Sequence, residues 1–249
     1  YYRLNNHWVT TFHDPFPHTG EERGNYRRRY ESAIKGSNGY VLLNEKQKLQ
    51  FCETYNVNLA KVLINRLGIY DIVRTFVKSD TKPLPNNVLF FGRISPYKGI
   101  EYLCEAMRIV RQAVPDAILT IAGGGKMYFD IEPYKQLGYI EVINHYVGME
   151  ELAELLSRCT LSVCPYTDAT QSGVIMTSFS LCKPIVATNV GGLGEMIDEG
   201  KSGLLVPPKD SKALADAIIE LLIDKKKLTN MSEYIRQEYE QGDRSWNAI

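Results

Sequence analysis

The sequence predicts an α/β fold: a complete doubly wound parallel-sheet domain in the C-terminal part, preceded by the C-terminal portion of a second domain of the same kind. Three observations carry this. From residue 86 onward short apolar runs alternate with helical patterns, each run is continuously apolar, and several strand-to-helix handovers pass through glycine-rich or small polar turns. Continuously apolar strands belong to parallel sheets covered on both faces, and such sheets bind ligands beyond the C-terminal ends of their strands.

Residues 8–12 read as a strand, 26–34 as a helix, 39–43 as a strand, 45–55 as a helix and 61–64 as a strand. Three strands make a thin domain. The chain also opens without methionine and almost inside a strand, so an earlier part of this domain is expected to be absent. Residues 77–86, with Lys78, Ser79, Asp80, Lys82, Pro83 and Pro85, form a polar, proline-containing linker. Beyond it, strands at 87–91, 117–122, 139–143, 161–163, 184–187 and 203–206 alternate with helices at 99–114, 126–137, 150–157, 174–182, 194–199 and 211–223. Residues 225–249 are expected to be a helical segment, and 245–249 read as the N-cap and first turn of a helix cut short. The division is therefore a partial domain over 1–78, a ligand-binding domain over 79–224 and the segment 225–249.

With 249 residues, 44% of them hydrophobic, the chain has enough apolar material for one large or two smaller cores, which excludes disorder as the default. Lys plus Arg and Asp plus Glu both number 29, so no net charge points to a nucleic-acid partner. Arg27, Arg28 and Arg29, preceded by Arg23, read first as a solvated helix face and second as a contact for phosphate or anionic lipid. The five cysteines show no CxxC pair and sit mostly in apolar runs, as core residues of a reduced compartment do. No apolar run reaches the roughly 18 residues of a membrane span, and no charged-then-apolar leader opens the chain. A cytoplasmic protein is expected, at most peripheral on a membrane.

The chemistry gathers at the strand-to-helix turns. Residues 165–210 run as a binding loop, a helix, a buried strand and a second glycine turn, and the loop 168–173 aims several backbone N–H groups at one point, where an anion is favoured. Gly92 to Gly99 follows one strand and opens the next helix, so Arg93 and Lys98 flank a helix N-terminus suited to a diphosphate; the alternative is two ordinary surface charges. The turn Gly123-Gly124-Gly125 lacks the third glycine of a GxGxxG fingerprint, because Tyr128 stands there, and reads first as a tight turn. Gly191-Gly192 and Gly203 read similarly. His13 and Asp14 end the first strand, with His18 in the following loop; a histidine there can donate to a sugar hydroxyl or phosphate, or be bonded structurally to loop carbonyls. His7 and His145 have no such context, and no zinc-type spacing occurs, so no metal is expected.

Together TFHDPFPHTGE, FFGRISPYKGIEYL, LTIAGGGK and PYTDATQSGVIMTSFSLCKPIVATNVGGLGEMIDEGKSGLLVPPKD resemble glycosyltransferase family 4, retaining enzymes with the two-domain GT-B fold, over most of residues 9–224. The resemblance implies two Rossmann-like domains, a UDP- or GDP-sugar donor held mainly by the second, and a glycan, lipid-linked or small-molecule acceptor held mainly by the first. Transfer in the cleft between them would need no metal or other cofactor, and would serve glycan or polysaccharide biosynthesis. Arg93 and Lys98 match the pair that neutralises the donor diphosphate, and His13 matches the histidine that contacts the reacting sugar or acceptor. Gly124 and Val147 fall near the turns that receive the nucleobase. The N–H groups of Thr170, Gln171, Ser172 and Gly173 would meet sugar and phosphate oxygens, with Gly92, Tyr166 and Val174 lining the same donor site.

One departure matters. The family commonly carries two glutamates eight residues apart, one on the donor sugar and one on the ribose, where this chain has Ala169 and Thr177. Thr177 could still bond a ribose hydroxyl, and Asp168 or Gln171 could reach the sugar. A neutral hydroxyl in place of a carboxylate forfeits about 1 kcal/mol of hydrogen-bond energy. Members with a TQSGV loop form a variant to which this chain is similar. Glu195 matches a glutamate frequent in the family, as a donor contact or as a cap or brace for the following turn. A non-catalytic nucleotide-sugar binding module and an inactive fragment are the alternatives to a retaining hexosyltransferase-type enzyme.

Overall fold

The computed structural model describes residues 2–4, 7–16 and 26–247, and among these the strands form two sheets. The first sheet holds β1 (Tyr2–Leu4), β2 (His7–Phe12), β3 (Gly39–Leu42) and β4 (Val62–Ile64) side by side in that order. β2, β3 and β4 are parallel, and β1, which the sequence reading missed, is an antiparallel edge strand. Helices α1 (Tyr26–Lys35) and α2 (Lys46–Tyr55) accompany it. Aromatic rings fill this small lobe: Phe51 lies 5.2 Å from Phe12 and 5.1 Å from Tyr55, centroid to centroid, over buried Leu42 and Val62. Rings bury much area per residue, which suits so thin a layer.

The second sheet is wholly parallel: β5 (Asn87–Phe91), β6 (Ile118–Ala122), β7 (Ile140–Ile143), β8 (Leu161–Cys164), β9 (Ile185–Thr188) and β10 (Gly203–Val206) lie in the order β10-β9-β8-β5-β6-β7. Helices α3 (Ile100–Ala113), α4 (Glu132–Lys135), α5 (Met149–Arg158), α6 (Gly173–Ser180), α7 (Leu193–Met196), α8 (Ser211–Ile223) and α9 (Lys225–Glu240) follow in chain order. Every residue of β5 is buried. Val88 and Phe90 enter one core with Leu103 and Met107 of α3 and Ile218 of α8, while Leu89 and Phe91 enter the other with Ala153 and Leu156 of α5. The period of two along the strand thus feeds two helix layers, which is why the strand reads as a continuous apolar run. Met231, Ile235 and Tyr239 place a helical stripe of α9 in the first of these cores, so α9 belongs to this lobe.

Four sequence expectations shift. The chain leaves the first sheet at Ile64, and Ile69 and Val73 are already buried in the cores of the second lobe, so the crossing precedes the proline-containing stretch 77–86. The helix expected over 126–137 shrinks to α4, because the Tyr128 hydroxyl accepts the Ile100 N–H at 2.9 Å and donates to the Glu101 carboxylate, tying the segment to the start of α3. The helix expected over 194–199 is only the single turn α7. Residues 245–247 form turns, with the Trp246 indole donating to the Ile69 carbonyl at 2.9 Å. His18 and Arg23 lie outside the described residues. All five cysteines are free, with Cys104, Cys159 and Cys164 buried. Among the described residues no helix is long and apolar enough to cross a membrane.

Candidate functional site

Strand order in the second sheet reverses between β5 and β8, and the two loops that leave these strands flank the crevice opened there. After β5, Gly92 leads into Arg93 and a 3-10 turn at Pro96–Lys98, and α3 begins. After β8, residues 165–172 lead into α6. The loops are stitched together: the Thr167 N–H donates to the Tyr97 carbonyl at 2.8 Å, and Gly99 takes φ +63° against the Pro165 carbonyl, where a Cβ would overlap the oxygen. A third loop joins them, since the Ile94 N–H donates to the Gly124 carbonyl at 3.0 Å and the Asn144 side chain accepts from the Gly125 N–H at 3.2 Å.

On this platform Arg93 is exposed and Lys98 half-buried. The Arg93 guanidinium donates to the Tyr97 hydroxyl at 3.3 Å, and the Lys98 ammonium sits 3.6 Å from the Tyr166 ring centroid. Tyr166, expected to line the donor site, is fully buried, with Ser172 donating to its hydroxyl at 3.4 Å. It can reach a ligand only through Lys98. Burial pushes its phenol far above the usual range, so the ring stays neutral. Ser172 precedes α6 and makes no side-chain cap bond, its own N–H meeting the Met196 sulfur at 3.3 Å. The first amides of α6 have no partner within the helix, and the helix dipole adds positive potential at that end. Gly173 lies against the Tyr70 ring, and Val174 packs over Gly92. Val147 is half-buried in the loop after β7, packed against the core of Leu89 and Phe91.

The C-terminal edge of the first sheet faces this crevice. Thr170 donates its hydroxyl to Asp14, and its carbonyl accepts the Asn44 amide at 2.8 Å. His13, beside Asp14, is exposed and lines a cavity of about 580 Å³ with Thr11, Arg29 and Tyr30, so the contact between lobes runs through Asp14 while His13 opens towards α1. The α2 N-terminus is fully accounted for: the Asn44 side chain accepts the Gln47 N–H at 3.1 Å, and the Glu195 carboxylate accepts the Glu45 and Lys46 N–H groups at 2.8 and 3.0 Å. Glu195 is thus a cap, though not of the turn that follows it. It caps a helix of the opposite lobe, some 150 positions away.

Ala169, Thr177 and Gln171 have surroundings that the sequence does not show. Ala169 is buried, and Thr177 donates its hydroxyl to the Gly173 carbonyl at 2.8 Å, so its proton is committed within α6 and it offers a ligand only lone pairs. The side-chain oxygen of Gln171 is buried without a hydrogen-bond partner among the described residues, lining a small cavity between the lobes with Arg66, Glu195 and Arg244. Asn44 and Asp14 were missed as site-building residues. Asn44-Glu45-Lys46-Gln47 does carry a capping-box signal, Asn at the cap and Gln three residues on, which could have placed the helix start at the strand edge.

A family model described as Glycosyl transferases group 1 matches residues 72–238, well over half of the chain. An uncharacterised glycosyltransferase of Methanocaldococcus jannaschii is 31% identical over 137 residues, covering 54% of this chain and 37% of that protein. A glycogen synthase of Mycobacterium tuberculosis is 24% identical over 251 aligned positions, covering 97% of this chain and 60% of the relative. The crystal structure of HepE from Anabaena in complex with UDP matches the fold with a TM-score of 0.70 at 18% identity, covering 92% of this chain and 66% of HepE. The chain thus spans less than two-thirds of the length of these two curated relatives.

Proposed function

The chain belongs to the glycosyl transferases of group 1 and has their GT-B fold, and from that premise we propose that it transfers a sugar from a UDP- or GDP-sugar to an acceptor hydroxyl with retention at the anomeric carbon. The observation that carries this reading is the pairing of Arg93 and Lys98 on the loop after β5, beside the α6 N-terminus at the switch point of the sheet. The bond between the anomeric carbon and the diphosphate oxygen breaks with its electron pair going to the diphosphate. The two cations and the α6 amides stabilise that developing charge. The acceptor oxygen forms its bond on the face the diphosphate leaves, and its proton passes to the departing phosphate oxygen. No metal enters this scheme. The UDP bound by HepE supports the class of donor, and the cavity lined by His13, Thr11, Arg29 and Tyr30 is the proposed acceptor side.

Removing one preorganised charge donor costs on the order of 10²–10³ in turnover. Arg93→Ala is therefore expected to lower donor turnover by at least a hundredfold, with the melting temperature nearly unchanged, because Arg93 is exposed and its bond to the Tyr97 hydroxyl is long at 3.3 Å. An unaffected rate removes Arg93 from the mechanism. A second reading, a nucleotide-sugar binding module without turnover, is favoured by Ala169 and Thr177 standing where a carboxylate pair is usual. Calorimetric binding of UDP with no donor hydrolysis or transfer selects it.

A further inference from the structure

Lys98 and Arg93 share an aromatic support that their role as diphosphate ligands does not itself require. The Lys98 ammonium lies 3.6 Å from the centroid of Tyr166 and 4.9 Å from that of Tyr97, and the two rings meet edge-to-face at 6.3 Å and 76°. Tyr97 also receives the Arg93 guanidinium on its hydroxyl at 3.3 Å. Both rings are fixed. Tyr166 is completely buried, Tyr97 is 6% exposed, and the Thr167 N–H and hydroxyl both donate to the Tyr97 carbonyl, at 2.8 and 3.3 Å. We propose that Tyr97 and Tyr166 are positioning residues: an aromatic clamp that holds the two cations aimed into the crevice between β5 and β8.

A lysine stem has four rotatable bonds and an appreciable rotamer entropy, so an unsupported ammonium is ordered only when its ligand arrives. A ring face attracts the cation through its quadrupole and brings no negative charge, so it steers the ammonium without cancelling it, as a carboxylate would. The ordering is then complete before the diphosphate binds. The residues that form the clamp lie on two different loops, which the Gly99–Pro165 approach keeps in register. The proposal rests on the reading of Arg93 and Lys98 as diphosphate ligands.

The decisive comparison is Tyr166→Phe against Tyr166→Leu, with Tyr97→Phe as a third variant. Tyr166→Phe keeps the ring and loses only the hydroxyl's bonds with Ser172, at 3.4 Å, and with the Cys164 thiol, so turnover and UDP affinity are expected within about threefold of wild type. Tyr166→Leu removes the ring and is expected to lower kcat by roughly tenfold to thirtyfold, the range of a partly desolvated cation–π contact, with KM changing much less. Tyr97→Phe keeps the ring beside Lys98 and Arg93 and removes the hydroxyl to which Arg93 donates, with an intermediate loss. Equal rates for the Phe and Leu variants overturn the clamp. Should the Leu variant fail to fold, the wild type decides: after reductive ¹³C-methylation, the Lys98 signal, assigned by its absence in Lys98→Met, is expected upfield through the Tyr166 ring current, and an unshifted signal overturns the proposal. A wild-type chain that binds neither UDP nor GDP refutes the underlying reading, whereas normal binding and turnover in Tyr166→Leu refutes the clamp alone.

Discussion

Glu195 offers the sharpest test of how the two lobes are held together. Its carboxylate, on α7 of the second lobe, accepts the Glu45 and Lys46 N–H groups at the start of α2 in the first. Asn44 already serves the Gln47 N–H, so Glu195→Ala leaves two helix amides unpaired and removes a negative charge from a helix N-terminus. Both bonds are solvent-accessible, so water takes over part of the loss, and the expected cost is about 1–2 kcal/mol. For a chain of this size each kcal/mol moves the melting temperature by about 2–4 °C, which gives a fall of roughly 2–8 °C. Thermal unfolding followed by tryptophan fluorescence reads both lobes, because Trp8 lies on β2 and Trp246 is bonded to the Ile69 carbonyl. Glu195→Gln keeps one acceptor oxygen and is expected to lose about half as much. Glu154→Ala, which removes an exposed pair with Arg158, is the control. A melting temperature for Glu195→Ala within 1 °C of wild type refutes the bridging cap.

Gly99→Ala places a methyl group on a residue at φ +63° and onto the Pro165 carbonyl, so the two loops of the crevice must part; a loss of about 2–4 kcal/mol is expected, seen as a melting temperature at least about 4 °C lower, and a fall under 2 °C contradicts the close approach. Alkaline pH should destabilise the fold through its buried thiols. Burial raises Cys159 and Cys164 to about 11 and Cys104 to about 12, from an ordinary value of 9.0. The unfolded chain therefore releases these protons first, so their contribution is complete below pH 9 and is lost as the pH climbs through 11 to 12. Melting temperatures measured from pH 8 to 11 should fall monotonically above 9, and a Cys104→Ala, Cys159→Ala, Cys164→Ala triple variant should show a shallower fall. In the native protein at pH 8 a thiol reagent should reach Cys52 and Cys182 first, since both are partly exposed.

The alternation of strands and helices after residue 86 was legible because a parallel sheet with two covered faces demands continuous apolar strands, and β5 to β10 supply them. The crossing between lobes was not. Leu67, Ile69 and Val73 look like ordinary apolar residues, and only packing reveals that they already belong to the second lobe's cores, while the prolines after Val77 suggest a linker further on. The 126–137 segment has a helical apolar pattern, but the tertiary bonds of Tyr128, which that pattern does not contain, hold it in an irregular path. At the site, Arg93 and Lys98 were visible from their place after a strand. Glu195 and Tyr166 were named as ligand contacts, but their partners lie 150 and 68 positions away in the chain, beyond the reach of local spacing. Thr177 was visible as a substitution, and its bond to Gly173 became apparent only with the helix in place.

The central claim is that the crevice between β5 and β8 holds a nucleoside diphosphate on Arg93, Lys98 and the α6 amides. Thermal shift of the wild-type chain and of an Arg93→Ala, Lys98→Ala double variant, titrated with UDP and GDP, tests it most directly, because a ligand that binds only the folded state raises apparent stability by mass action. A concentration-dependent rise in melting temperature is expected for the wild type with at least one of the two nucleotides, and none for the double variant. No rise with either nucleotide, or the same rise in both proteins, contradicts it.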